Sequence, residues 1–427
     1  MTTDSRTRWV ILAVSYLSII TIGLSWLGWT VALNDIANDL SLNYTQAGLL
    51  SSVTALTGGI SLVLGGIATD KIGCKMVILL GLAAGFGGLI LFAFADSFPV
   101  AIVARLICGV SVGLLYVGPF TMVLNWFRNT RHSGTAVGTL LTGDGVYSLV
   151  ALYLCALLII SVGWRPGLAI QAGIVLVIFI VSLLLLKNPP AGIAEESARL
   201  GRARVAGQIL HCLRRTNVLT GAAYLVVNWG IVGLISSWMP TILINDAGWS
   251  ESSASLLVSL LAATGILTAF LFGALSDKYK RRKKLLVLAG FATFLSMAIL
   301  TLALANGWYG LVVVMLPVVG LCVYAGVPLA IVLAAESVDG RHTGIANGIV
   351  LGGGFLVGGF AFPYVAGVIK DTTGSFVGGI LAATVGTLVL GCLVQLLARD
   401  FVPSTREKRY GPERNELDLL RSEHASE

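Results

Sequence analysis

Long apolar runs separated by short polar connections make up most of the chain. The first six fall at about Trp9 to Leu33, Gln46 to Thr69, Met76 to Ala95, Val100 to Leu124, Gly134 to Leu157 and Gly167 to Leu186. A second six follow at about Val218 to Pro240, Ser255 to Ala274, Leu285 to Ala305, Tyr309 to Ala335, Thr343 to Ala366 and Phe376 to Ala398. Each is close to the roughly 20 residues that a helix needs to cross about 30 Å of hydrocarbon. Runs such as Ile174 to Leu186 are apolar on every face, whereas barrel strands alternate apolar and polar at every second residue. The pattern predicts an all-α membrane protein with twelve transmembrane helices.

The polar connections orient those helices. Of the 28 Lys and Arg, 25 lie in the amino-terminal segment, the even-numbered connections and the tail; Arg165 and Lys370 lie in odd connections, and Arg105 lies within a span. The positive-inside rule then predicts both termini in the cytoplasm, in a multi-pass protein of a bacterial or archaeal plasma (cell inner) membrane. The first run is too long for a cleavable signal and lacks a small-residue cleavage site, so it is expected to remain as a helix.

Composition narrows the picture. The chain of 427 residues is 56% hydrophobic and 11% charged, far below the roughly one quarter charged in soluble domains, which excludes an ordinary soluble enzyme. The net charge of +7 sits in loops beside membrane ends, where it reads topology and headgroups, and calls for no nucleic-acid partner. The 51 glycines suit close approach of helices in lipid. Six scattered cysteines form no disulfide framework.

Two segments recur. Gly66-Ile-Ala-Thr-Asp70-Lys71 returns as Gly273-Ala-Leu-Ser-Asp277-Lys278, and Arg131-His-Ser-Gly134-Thr-Ala-Val-Gly138 returns as Arg341-His-Thr-Gly344-Ile-Ala-Asn-Gly348. The offsets map the second connection onto the eighth and the fourth onto the tenth. The chain is therefore expected to hold two pseudo-symmetric six-helix bundles, residues 1–186 and 217–398, joined by a linker at 187–216 and followed by a tail at 399–427. Two like halves packed about an axis normal to the membrane can rock around a central site and open it to one side at a time.

On these residues the chain resembles the major facilitator superfamily. Gly65-Gly-Ile-Ala-Thr-Asp70-Lys71-Ile-Gly73-Cys74-Lys75 is similar to that family's signature loop, departing at Cys74, where a basic residue is common; Arg105-Leu-Ile-Cys-Gly109 resembles its fourth-helix pattern. The fifth span lacks the Gly-Pro pattern of many drug/proton antiporters, and Asn125-Trp126-Phe127 ahead of Arg131 resembles the group of sugar-phosphate, sugar-acid and carboxylate permeases. The resemblance implies a gating set on the cytoplasmic side. Asp70 and Asp277 would latch the halves by accepting hydrogen bonds from the free amides of another helix start. Gly73 would permit the turn, Lys71 and Lys75 would pair with acids such as Glu336, and Lys278, Arg131 and Arg341 would complete the set. The glycines of the eleventh span serve packing as readily as gating.

Two charges fall deep inside spans, where each costs about 2.5 to 3.5 kcal/mol on insertion scales. Arg105 lies roughly 8 Å from the outer end of the fourth span and is expected to anchor an anion, with Asp35 as its outer partner. Asp144, between Gly143 and Gly145, is the expected proton carrier, since a carboxylate that alternately loses and regains water can bind and release a proton; a fixed interhelical hydrogen bond is the competing role. The second half offers Tyr224, Asn228, Trp229, Tyr324 and Asn347, together with Trp238 as an interfacial anchor. Carboxylate carriers that the chain resembles often place a basic residue there, and its absence argues against a dianion.

Gly109-Val-Ser111-Val-Gly113 matches a hydrolase nucleophile pattern, yet it falls in a lipid-embedded helix with no histidine beside it. No phosphate-binding loop, dinucleotide fingerprint or metal-ligand set appears, so neither a cofactor nor bound ATP is expected. The function expected is proton-coupled movement of a small organic anion, a monocarboxylate or sugar acid, by a monomeric carrier. Proton-coupled efflux of amphipathic compounds and, more remotely, a transporter-like sensor remain alternatives.

Overall fold

The computed structural model describes residues 3–127, 132–188, 205–279, 281–338 and 343–400. The first half comprises α1 (Thr3–Trp26), α2 (Tyr44–Ile72), α3 (Cys74–Ala93), α4 (Phe98–Trp126), α5 (Ser133–Leu149, continued by Cys155–Val162) and α6 (Trp164–Leu185). The second comprises α7 (Thr216–Asn245), α8 (Glu251–Tyr279), α9 (Arg282–Ala305), α10 (Tyr309–Ala325 and Val327–Glu336), α11 (Thr343–Thr373) and α12, which starts at Val377–Gly386 and runs on to Leu397. Eleven candidate spans among the described residues are apolar and long enough to cross a membrane, and α8, at 29 residues, supplies the twelfth. Large apolar side chains such as Leu184 and Val314 are more than half exposed, as a surface solvated by lipid requires. An even number of crossings puts both chain ends on one face, the terminal face; the other is the distal face.

The duplication extends to side-chain chemistry. At the start of α3 the Lys75 amide donates to Asn188 Oδ1 (3.1 Å) and its ammonium to the Leu183 carbonyl (2.8 Å). At the start of α9 the Lys283 amide donates to Asp400 Oδ1 (2.7 Å) and its ammonium to the Leu396 carbonyl (2.7 Å). In each half a residue beyond the sixth helix thus satisfies a free amide at the start of the third. Gly73, at φ 84°, makes the α2–α3 turn in a conformation that a side chain disfavours. Lys75 is therefore tied within its own half, and Glu336 pairs with Arg282, also within its own half, so the expected Lys75–Glu336 pairing does not form. Lys71 is exposed at the end of α2. Arg131, Arg341 and the side chains of Asp70, Asp277 and Lys278 lie outside the described residues.

Two predicted spans are broken. The first, expected to run unbroken to Leu33, ends as α1 at Trp26, and the chain turns into a short helix at Leu33–Asp39. The carbonyls released by the break find partners elsewhere: Gly28 O accepts from Gln171 Nε2 on α6 (3.0 Å), and Ser25 O and Trp26 O accept from Arg105. The tenth breaks at Gly326, two residues before Pro328, because proline donates no amide hydrogen and disfavours a helical residue ahead of it.

The halves meet chiefly along α2 and α11. Gly59 lies so close that an added Cβ would stand 2.8 Å from Leu356 Cβ, and one on Gly48 would stand 2.9 Å from the Pro363 carbonyl oxygen. Gly354 and Gly358 press instead on the α7 backbone at Leu225 and Val226, which supports the packing role of these glycines. Hydrogen bonds join the halves at the distal end. Asp371, near the end of α11, accepts from the Tyr44 amide (3.1 Å), the Thr45 amide (2.6 Å) and the Thr45 hydroxyl (2.5 Å) at the start of α2, and Asn34 contacts Asn245 at 3.4 Å.

A candidate solute site between the halves

Arg105 does not face the space between the halves. It is fully buried, with its guanidinium donating to the carbonyls of Leu50 (3.2 Å), Ser25 (2.6 Å) and Trp26 (3.0 Å), while its Cζ lies 4.6 Å from the Trp29 ring centroid and 5.6 Å from that of Phe92. The partial negative charge at the C-terminal end of α1, two carbonyls left free by the break and two aromatic faces compensate the cation. Asp35 is exposed on the short distal helix and makes no ion pair with Arg105. The expected Arg105–Asp35 pair is absent because backbone oxygens at the break occupy the donors that a carboxylate would need.

Asp144 is placed differently. Its Oδ2 accepts a 2.7 Å hydrogen bond from the Tyr116 hydroxyl on α4, and Tyr147 and, from the other half, Tyr324 stand within electrostatic reach of it. No cation among the described residues forms an ion pair with it. An added Cβ on the preceding Gly143 would stand 2.8 Å from Ile19, so the small residue lets α5 seat against α1 and aim the carboxylate inward. A charge held this way costs several kcal/mol in a low-dielectric interior, a cost that binding a proton removes.

Tyr116 also forms part of an aromatic group at the centre of the molecule. Trp26, Trp229 and Phe355 pack in a triangle with ring centroids 4.9 to 5.4 Å apart, and Tyr116 joins Trp229 at 6.2 Å. They come from α1, α7, α11 and α4 respectively, so the triangle belongs to both halves. Tyr116, Trp229 and Phe355, with Gly58, Leu62 and Gly113, line a cavity of about 10 Å³, near the minimum that accommodates one water. The Trp229 indole N–H is buried and has no partner among the described residues. A buried donor without a partner costs about 1 to 3 kcal/mol, and it belongs to a residue that lines the cavity.

Of the second-half candidates, Trp229 lines this cavity and Tyr324 stands near Asp144. Tyr224 and Asn228 serve the structure instead. The Tyr224 hydroxyl accepts from the Gly326 amide (3.1 Å) and donates to the Val323 carbonyl (3.3 Å), and Asn228 donates to the same carbonyl at 3.4 Å. They stitch the break in α10, because its interrupted ladder leaves polar backbone groups that must be satisfied inside the membrane. Asn347 has a buried Oδ1 without a partner among the described residues and does not line the central cavity. Trp238, expected at the interface, is 2% exposed and donates to the Pro363 carbonyl at 2.9 Å. Sequence reasoning missed Tyr116, Trp26 and Phe355, which carry no charge to set them apart from other apolar-run aromatics.

Comparison with known proteins agrees with this architecture. The sequence profile of the Major Facilitator Superfamily matches residues 9–363 and 234–417. The chain is 24% identical to the hexuronate transporter of Bacillus subtilis over 371 residues, covering 83% of this chain and 86% of that protein. It is 24% identical to a probable sulfoacetate transporter of Cupriavidus necator, covering 87% and 89%. The crystal structure of a point mutant of the nucleoside transporter NupG superposes with a TM-score of 0.75 at 15% identity, covering 92% of this chain and all of that one; at that identity the likeness concerns the fold.

Proposed function

This chain belongs to the Major Facilitator Superfamily, and within it we propose that the protein moves a small organic anion together with a proton by alternating access. The basic terminal-face loops support the cytoplasmic placement of both chain ends in a cell membrane. The observation that carries the proposal is that Asp144 accepts a hydrogen bond from Tyr116, a residue lining a cavity to which both halves contribute. Among the described residues, no cation lines that cavity. An anion approaching an ionised Asp144 meets like charge in a medium of low dielectric, so it enters favourably only after the carboxylate has bound a proton. Proton and anion then travel as a neutral pair, and release of either on the far side destabilises the other.

The solute contacts follow from the same geometry. The Trp229 N–H is a donor awaiting an acceptor, the Tyr116 hydroxyl becomes a second when Asp144 no longer needs it, and Phe355 and Leu351 cover an apolar face. Sites of this kind combine mostly apolar walls with a few placed polar groups. The names of the relatives, hexuronate and sulfoacetate transporters, favour an organic anion as the solute. Proton-coupled efflux of amphipathic drugs or metabolites is the second reading, favoured by the aromatic walls and the lack of a cation among the described residues that line the cavity.

Purified protein in liposomes decides between them. With D-glucuronate and lactate, both monocarboxylates, offered outside, an inward proton gradient should drive accumulation above equilibrium, and collapsing the gradient should abolish it. Gradient-independent equilibration of both anions would refute the coupling. Transport of a lipophilic amine with neither anion moved would establish the efflux reading.

A further inference from the structure

A second cavity of about 390 Å³ opens at the distal end, far from the aromatic triangle. Its walls come from the short helix Leu33–Asp39, the start of α2 and the ends of α7 and α11, so it too spans both halves. Four asparagines line it: Asn34, Asn38 and Asn245, together with Asn43, whose Oδ1 already accepts from the Gln46 amide at 2.8 Å. The Asn34–Asn245 contact is 3.4 Å, beyond the usual 2.7 to 3.2 Å for such a bond, and the Asn38 amide has no hydrogen-bond partner among the described residues. Tyr44 and Trp238 supply aromatic surface. The Trp238 N–H is already engaged by Pro363 and its ring packs against Tyr44 and Phe376, so it contributes to the wall as part of that aromatic group. Asp371 also borders the space, but its two oxygens are occupied by the three donors at the start of α2.

We propose that this distal cavity is a second solute site, which takes a polyhydroxylated ring compound. Each primary amide offers two donors and an acceptor, the combination that adjacent hydroxyls match, and Asn34, Asn38 and Asn245 together with the Tyr44 ring provide for the hydroxylated edge and the C–H face of such a ring at once. The volume lies within the range of small-molecule sites, roughly 300 to 1,000 Å³. With the Asp371 contact closed, a solute here touches both halves before the central cavity is open. The site therefore selects for hydroxyls at the mouth, independently of charge selection at Asp144. The inference goes beyond the reading of the central site and does not depend on proton coupling.

The test reads cysteine protection in detergent, where both faces are accessible. The native cysteines are buried except Cys322, which is partly so; the background carries Cys322→Ser, and Ala37→Cys places a thiol on the cavity wall. Alkylation by a charged maleimide is followed with myo-inositol, D-glucuronate or benzoate present. Either polyol at ten times its dissociation constant should slow alkylation about tenfold by mass action, whereas benzoate should not. Protection should persist when Trp229→Ala disables the central site and should be lost with Asn245→Ala, or with Asn34→Ala should Asn245→Ala fail to fold. Equal rates with and without both polyols overturn the proposal, as does equal protection by benzoate. Protection that disappears with Trp229→Ala and survives Asn245→Ala places binding at the centre and also overturns it. Failure of the liposome experiment leaves this result unaffected, so the two readings fail separately.

Discussion

Arg105 and Asp144 are the two charges set deep in the first half, and their surroundings assign them different work. Arg105 is enclosed within that half, its donors spent on the backbone of α1 and α2 and its faces covered by Trp29 and Phe92. Asp144 has one phenolic donor from its own half and another tyrosine opposite it across the interface. A fully compensated charge holds structure; one whose compensation changes as the halves move can bind and release a proton. Depth in the membrane is common to both, so depth alone does not identify function.

The largest expected effect tests that contrast through stability. Arg105→Met removes three buried hydrogen bonds; Trp26 O keeps the Trp29 indole donor, while a carbonyl left unsatisfied costs about 1 to 3 kcal/mol, and the substitution should sharply lower the melting temperature of the purified protein. Arg105→Lys should recover only part of the loss, since a point ammonium does not reproduce the planar fork. Asp144→Asn should leave the melting temperature nearly unchanged, because the amide oxygen can still accept from Tyr116. A large destabilisation by Asp144→Asn with none from Arg105→Met would reverse the assignments.

The second expected effect is on transport. Asp144→Asn should abolish accumulation driven by a proton gradient while leaving exchange of labelled for unlabelled solute intact, because the variant has no proton to exchange yet keeps its neutral cavity. Loss of exchange as well would instead give Asp144 a fixed structural role. A smaller effect concerns recognition: Trp229→Phe keeps an aromatic wall but removes the N–H, worth about 0.5 to 1.5 kcal/mol. KM should rise roughly two- to tenfold with kcat unchanged. An unaltered KM would remove that donor from solute binding.

The contrast also shows what was legible in the sequence. Twelve apolar runs and two repeated loops implied the helices and their duplication, because hydrocarbon thickness and backbone satisfaction constrain a membrane protein strongly. Asp144 stood out because its charge is costly and its neighbours are glycine. Arg105 stood out for the same cost, but its partners are backbone carbonyls exposed by a break in α1, and nothing in an apolar run marks which peptide groups will be free. Tyr224 was misread for the same reason: its hydroxyl serves the backbone at Gly326. Tyr116 was missed because its importance comes from facing Asp144 across two helices, a relation between positions 28 residues apart.

The distal contact provides the smallest test, and it concerns the motion that would change Asp144's surroundings. Asp371 places a carboxylate at the amino-terminal end of α2, where charge and helix dipole interact by about 0.3 to 1 kcal/mol, and by up to about 2 in partly buried geometry. Asp371→Asn keeps an acceptor and removes the charge, whereas Thr45→Ala keeps the charge and removes one hydroxyl donor. A thiol introduced by Ser52→Cys, buried one turn from Gly48 along α2, reports opening of the distal face through its alkylation rate. Because about 1 kcal/mol corresponds to roughly a fivefold change in an equilibrium constant, Asp371→Asn should speed alkylation several-fold and Thr45→Ala by less. Salt at about 1 M shortens screening to about 3 Å and should reproduce part of the Asp371→Asn effect without adding to it in that variant. If neither substitution nor salt changes the rate, the charge at the helix end does not hold the halves together, and the packing of α2 on α11 through Gly48 and Gly59 carries the closure alone.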